Sequence, residues 1–365
     1  MPNALIASAD QLAERAARWA RAPWLALDTE FVRVDTYYPK LCLIQVGDGT
    51  ESDCVDVLAL PQPKALLEVL DDPKIVSVLH AASQDNEILV QLNGRVPAPI
   101  FDTQVAATLL GIGDQIGYAG LVEKRLGLAI DKSLARTDWS RRPLKENEIA
   151  YAADDVRHLA QMYPTLRAEL QERGRLAWLE EDCARMNDPE QYRTHPEDAW
   201  QRLKGMQRLS AQEQSIAAAL AAWRESEAQK RDRPRKWILD DEPIYKLAQR
   251  APQNVAQIEG LKVLPPKTLE RHGKALLDVV AKALAAPSQI LAHPEELTGA
   301  QTSLLKKLQA AAQEVAAKLG IPASYLVSRS DLGTLLRDRE RAEITLLQGW
   351  RREVAGEALL KLVAA

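Results

Sequence analysis

An α/β domain with a mixed sheet flanked by helices, followed by two all-α helical bundles, is the architecture this 365-residue sequence predicts. Three observations carry it. Short apolar runs alternate with helix-period segments over about the first 170 residues. Past about residue 175 the strand signals stop and the chain turns to Ala, Leu, Gln, Glu, Lys and Arg. In that second part Leu220, Ala228, Lys230, Pro234 and Leu247 recur 88 positions later as Leu308, Ala316, Lys318, Pro322 and Leu335, with Trp237 matched by Tyr325.

Taken in order, ALIAS, PWLALDTEF, KLCLIQVGD, SDCVDVL and KIVSVLH read as strands. GDGTES between the third and fourth supplies hairpin-turn chemistry, so the early strands are expected to be antiparallel neighbours. Helices are expected over Ala9 to Arg21, Pro63 to Leu70, Gln84 to Leu92, Thr103 to Leu110, Ala119 to Leu126 and Lys145 to about Arg173. NDPEQYRTHPED, residues 187–198, has linker chemistry. GKALLDVV at 273–280 returns as GEALLKLV at 356–363, now offset by 83, so the second helical module is the first with five residues deleted. The expected boundaries are 1–175 for the α/β domain, 176–204 for a helical linker, 205–287 for the first helical module and 288–365 for the second.

Composition narrows the function. An apolar fraction of 46% with 27% charged residues belongs to a soluble globular chain. The start MPNALIASADQLAERAARWA has neither a long apolar span nor a cationic lead into one, so no signal peptide or membrane anchor is expected and the cytoplasm is the default. Cys42, Cys54 and Cys183 are scattered and odd in number, against a disulfide frame or a structural zinc site. The net charge of -4 hides an acidic front part and a basic stretch over 200–289. That division suits a metal-dependent site followed by a polyanion-holding surface.

Asp28 and Glu30 in WLALDTEF project from one face of a strand, where two carboxylates make a poor core and a good divalent-metal pair. Asp85 falls in the first turn of a helix after KIVSVLH, which also suits a plain helix N-terminal charge. In EIAYAADDVRHLAQMY, Tyr151 and Asp155 share a helix face; Asp154, three from Tyr151, competes for the same role on spacing alone. Phe31, Tyr37 and Tyr38 follow the first acidic motif and are candidates to stack on terminal bases. Arg141 and Arg142 precede the acidic helix and are candidates to hold a phosphate. KRDRPRKW, residues 230–237, puts Arg233, Arg235 and Lys236 in a loop that reads as phosphate-contacting.

DTEF, HAASQD, FDTQVAA, KSLARTDWSRRPL and the spacing from Tyr151 to Asp155 together resemble the DEDDy group of 3′-to-5′ exonucleases, and within it the bacterial ribonuclease D family. The two helical modules are similar to the HRDC domains that follow the nuclease there. The resemblance implies a ribonuclease H-like exonuclease fold. It implies Asp28, Glu30, Asp85 and Asp155 as metal-binding carboxylates, Tyr151 as the residue that positions the attacking water, and no ligand role for Asp154. A sister group has histidine where Ala150 stands. Lys145 departs from the pattern, standing where a Ser or Thr helix cap is expected.

Four carboxylates suit two Mg²⁺ or Mn²⁺ ions roughly 3.5 to 4 Å apart, with no organic cofactor and no membrane partner. The activity so implied is metal-dependent hydrolysis of RNA from a free 3′ end to 5′-mononucleotides, with precursor tRNA among the substrates. A DNA exonuclease and a non-catalytic nucleic-acid-binding protein are the alternatives.

Overall fold

The computed structural model describes residues 4–131, 133–134, 136–291 and 297–364; Lys132 and Ala135 of the KSLARTDWSRRPL segment, and the 288–365 boundary where it crosses 292–296, lie partly outside them. The chain forms two compact units. The first holds the residues up to Val32, Leu41–Tyr192, and those from Leu297 on. The second holds Arg33–Lys40 and the residues from Arg193 to Glu296.

The first unit is built on a six-stranded sheet of order β1-β4-β3-β2-β5-β6. Its strands are β1 (Ala4–Ile6), β2 (Trp24–Val32), β3 (Lys40–Gly47), β4 (Ser52–Asp56), β5 (Val76–Leu79) and β6 (Ile100–Asp102). The expected hairpin is present, with β3 antiparallel to β4 and Gly47 opposite Ser52. The early strands are not all antiparallel, however: β1 runs parallel to β4, and β2, β5 and β6 pair in parallel. The expectation overreached because a hairpin turn fixes only the two strands it joins. β6 is the strand the sequence did not announce; three residues are too few to show a period.

Around the sheet lie α1 (Ala9–Trp19), α2 (Lys64–Leu70), α3 (Ser83–Asn93), α4 (Thr103–Leu109), α5 (Tyr118–Leu126), the long α6 (Glu146–Glu172) and α7 (Leu176–Ala184). Trp19, Leu25, Leu27, Ile44, Val78, Leu79 and Leu109 are fully buried in the core they enclose.

The second unit contains α8 (Ala211–Arg231), α9 (Arg235–Ile238), α10 (Asp241–Arg250), α11 (Val255–Gly260) and α12 (Pro266–Ala285), closed over Ile216, Leu220, Ile244, Leu247, Leu276 and Val280. The repeat is visible in the helices themselves. In the first unit α13 (Gly299–Leu319), α14 (Ala323–Leu326) and α15 (Arg329–Asp338) match α8, α9 and α10 in length and start 88 positions on. Even the caps match: Ser210 with Glu213, and Thr298 with Gln301, each close a reciprocal capping box.

The copies differ where α12 would recur. There the chain breaks into α16 (Gly349–Arg351), a π-helical turn over Arg352–Gly356 and α17 (Glu357–Ala364). Gly356 is required in this stretch, since a Cβ would lie 2.4 Å from the Leu346 carbonyl oxygen.

Candidate active site

Strand β2 presents Asp28 and Glu30 on one face by the alternation of the pleat. Helix α6 brings Asp155 to that face, and Gly47 lets it come close: a Cβ there would lie 3.2 Å from the Val156 carbonyl oxygen. One carboxylate oxygen from each of Asp28, Glu30 and Asp155 lies within 4.8 Å of the others. Asp154 points elsewhere and pairs with Arg157 at the surface. Tyr151 sits one turn before Asp155, its ring stacked on Trp139 with centroids 6.3 Å apart.

The start of α6 explains how the chain manages without a Ser or Thr cap. Lys145 has no acceptor to offer, but the Glu148 carboxylate accepts from the Lys145 backbone N–H at 2.8 Å, which is half of a capping box. Arg141 holds that carboxylate in turn, donating to both oxygens at 2.6 and 2.8 Å.

Asp85, in the first turn of α3, stands apart from the group of three. Its Oδ1 accepts a 2.5 Å hydrogen bond from the Thr29 hydroxyl, and both side chains are buried. Thr29 carried no signal in the sequence beyond lying between two carboxylates. Tyr118 is a second residue the sequence did not single out. Its hydroxyl donates to the Asp155 backbone carbonyl at 2.6 Å, bracing α6 at the site.

Two candidates are engaged within the protein. Tyr37 offers no stacking face: it is 7% exposed, its hydroxyl donates to Glu225, and its ring packs edge-on against Tyr38. Arg142 does not extend to a phosphate. It donates to both Asp56 oxygens at 2.7 Å and to the carbonyls of Trp139 and Cys42, so an internal carboxylate takes the role a phosphate would have had.

Phe31 is half-buried at the end of β2. In the second unit Arg233 pairs with Asp35, Arg235 lies 3.6 Å from Glu225, and Lys236 lies 3.7 Å from Asp240 with most of its side chain exposed. Trp237 beside them is 63% exposed, while Ile238 and Leu239 fill the core.

Burial and mutual repulsion push the site's carboxyls upward. Burial raises Asp28 well above the usual carboxylate range, with the charges of Asp85, Asp155 and Glu30 adding to it. Burial and then Asp155 and Asp85 take Glu30 to about 8, and burial takes Asp155 to about 7. Asp85 reaches only about 6, because the Thr29 hydroxyl opposes its desolvation. Burial and the neighbouring carboxylates push the Tyr151 phenol up to about 12.

Among the described residues no lysine or arginine ion-pairs with Asp28, Glu30 or Asp155. An all-oxygen set of crowded carboxylates without a cationic side chain fits a hard divalent cation.

The sign of these shifts sets how stability depends on pH. An acid whose pKa is higher folded than unfolded keeps its proton longer in the folded state, so stability falls as pH rises. The metal-free protein is therefore expected to lose thermal stability between pH 5 and 8, the window spanning the raised values of Asp85, Asp155 and Glu30. Mn²⁺ or Mg²⁺ should restore it, and more so at pH 8 than at pH 5. Melting curves in EDTA and in excess metal check both slopes.

Residues 4–171 match the family model of a 3′-5′ exonuclease, and residues 213–280 match that of the HRDC domain. The chain is 39% identical over 355 residues to ribonuclease D of Pseudomonas paraeruginosa, covering 96% of this chain and 94% of that one. It is 41% identical over 369 residues to ribonuclease D of Gluconacetobacter diazotrophicus, covering 98% and 92%. Among solved structures it is similar to that of Escherichia coli RNase D, an exoribonuclease involved in structured RNA processing. That match has a TM-score of 0.91 and 32% identity, and covers 100% of this chain and 99% of that one.

Proposed function

This chain belongs to the ribonuclease D family of 3′-to-5′ exoribonucleases, and from that premise we propose that Asp28, Glu30, Asp85 and Asp155 bind two divalent cations, Mg²⁺ or Mn²⁺, beside Tyr151. The observation that carries the reading is the approach of three carboxylate oxygens, from β2 and α6, to within 4.8 Å of one another. Divalent cations held there would lower the pKa of a bound water and offset charge on the scissile phosphate and the leaving 3′ oxygen. Tyr151, with its phenol raised to about 12, keeps its proton at neutral pH. It acts by orienting the attacking water rather than as a strong base. The products are 5′-mononucleotides and a chain one nucleotide shorter.

The substrates we propose are structured small RNAs with a free 3′ end, precursor tRNA trailers among them, in the cytoplasm. The part that the Escherichia coli relative plays in structured RNA processing supports the structured-RNA reading. Among the described residues no helix is long and apolar enough to cross a membrane. The stretch from Leu297 on we read as a second, HRDC-like module, on the strength of the matched helices and caps. For RNA contact, Phe31, Arg141, Arg233, Arg235 and Lys236 remain candidates, now joined by the exposed Trp237.

The test is a pair of 5′-labelled strands, RNA and matched DNA, incubated with Mg²⁺, Mn²⁺ or EDTA. Stepwise shortening of RNA that EDTA abolishes is expected. Equal degradation of DNA would remove the RNA preference, and intact strands in both metals would overturn the catalytic reading.

A further inference from the structure

We propose that Thr29 and Asp102 are positioning residues for the reaction, a two-part brace that fixes Asp85 where a cation can meet it. The proposal rests on the carboxylate-metal reading above. One half of the brace is direct: the Thr29 hydroxyl donates to Asp85 Oδ1 at 2.5 Å, in a place where both groups are buried.

The other half acts through the turn that leads into α3. Ala81 there has φ 56, a left-handed conformation that an alanine keeps only when its surroundings impose it. Ala82, the residue before α3, has no side chain with which to cap the helix.

Asp102 supplies what both lack. Its carboxylate, 2% exposed, accepts from the Ala81 N–H at 3.1 Å and the Ala82 N–H at 2.9 Å. It also accepts from Gln104 at 2.8 Å and Val105 at 3.3 Å, which caps α4. Thr103 completes the tie, donating to the Leu79 carbonyl at 3.0 Å and lying 2.9 Å from His80 Nδ1. Every residue from Leu79 to Ala82 is thus bonded to the Asp102–Thr103 pair, and Asp85 follows three positions later. Capping α4 needs only the bonds to Gln104 and Val105. The bonds to Ala81 and Ala82 serve the entry to α3, and so the direction from which Asp85 approaches.

The experiment uses Thr29→Val, which keeps the shape and removes the hydroxyl, Thr29→Ser, which keeps the hydroxyl, and Asp102→Asn. In Asp102→Asn at least one of the four N–H donors must face an amide NH₂ instead of an oxygen. Each full-length protein is read three ways: kcat and KM on 5′-labelled RNA, Mn²⁺ affinity without RNA from the electron paramagnetic resonance of free Mn²⁺, and melting temperature in EDTA.

Thr29→Val is expected to lose about tenfold to hundredfold in kcat or in Mn²⁺ affinity, as supporting hydrogen bonds to metal ligands do. Its KM for RNA should stay within about twofold, because substrate contact is untouched. Thr29→Ser should recover most of the loss, and Asp102→Asn should fall in the same direction as Thr29→Val. Asp102→Glu, which keeps the carboxylate and displaces it by one methylene, serves where Asp102→Asn does not fold, and wild-type kcat and Mn²⁺ affinity in the variant used would overturn the Asp102 half. Wild-type kcat and Mn²⁺ affinity in Thr29→Val would overturn the brace, as would a Thr29→Ser protein as impaired as the valine form. A wild type that binds Mn²⁺ but leaves RNA intact would overturn the exoribonuclease reading instead, and the Mn²⁺ titration of the Thr29 pair would still decide the brace.

Discussion

Asp28→Asn is expected to lower the rate of RNA trimming by about a thousandfold or more, because a cation's stabilisation of the transition state is worth several kcal/mol and each 1.4 kcal/mol is a factor of about ten. The same substitution is expected to raise the melting temperature of the metal-free protein. Asp28 is half-buried near Asp85, Asp155 and Glu30, and desolvation and those charges hold its carboxyl well above its ordinary range. An amide of the same shape is neutral without having to take up a proton on folding, and it opens no cavity. Loss of activity with gain of stability separates a missing ligand from a misfolded chain, since misfolding lowers both. Tyr151→Phe serves as the graded comparison: it keeps every carboxylate and loses only the hydroxyl proposed to orient the water, so a drop of about tenfold to hundredfold is expected. Rates on one labelled RNA at saturating Mn²⁺, with melting curves in EDTA, test all of this. An Asp28→Asn protein that trims at the wild-type rate would remove Asp28 from the site.

What the sequence made legible here is what local periodicity can encode. The two-residue spacing of Asp28 and Glu30 and the four-residue spacing of Tyr151 and Asp155 each describe a face of one element, and both faces are as expected. Spacing could not separate Asp154 from Asp155, because both lie within one turn of Tyr151. Side-chain packing separates them, with Arg157 drawing Asp154 to the surface. Tyr37 looked like a stacking residue because it follows DTEF, yet its hydroxyl belongs to Glu225, 188 positions away. Thr29 and Asp102 were in view as letters within DTEF and FDTQVAA. Their bonds run to a turn built from HAAS, and no spacing within one segment reports a bond to another. The repeat was legible down to its interval of 88, but what its second copy packs against was not.

Arg351→Met is expected to destabilise the first unit by about 3 to 5 kcal/mol, the cost of leaving a buried charge without its partner. In a unit of this size that corresponds to a fall in melting temperature of roughly 10 °C. Asp182 on α7 and Arg351 on α16 are both buried and meet at 2.5 Å across 169 residues of sequence. Asp182 also accepts from the Tyr325 hydroxyl at 2.6 Å and the Trp350 indole N–H at 3.3 Å. Arg351 uses its other donors on the Tyr325 carbonyl and lies over the Trp350 ring at 4.3 Å. Trp350 stacks on Trp178 of α7 with centroids 4.5 Å apart and planes 7° from parallel. Gly349 permits the approach, since a Cβ there would fall about 2 Å from the Glu181 carboxylate that accepts from the Trp350 N–H. Arg351→Met leaves Asp182 its neutral donors and no cation. Combining it with Asp182→Leu removes the stranded carboxylate as well, so the double variant should melt closer to the wild type than the single one does. The same α7 that holds Arg351 places Cys183 against the backbone of Asp102, the residue proposed above to position Asp85. If the stretch from Leu297 on were an appendage, Arg351→Met would leave RNA trimming to fail on heating at the wild-type temperature. Failure of trimming at a lower temperature, restored by the second substitution, is what a helical module serving as part of the nuclease core requires.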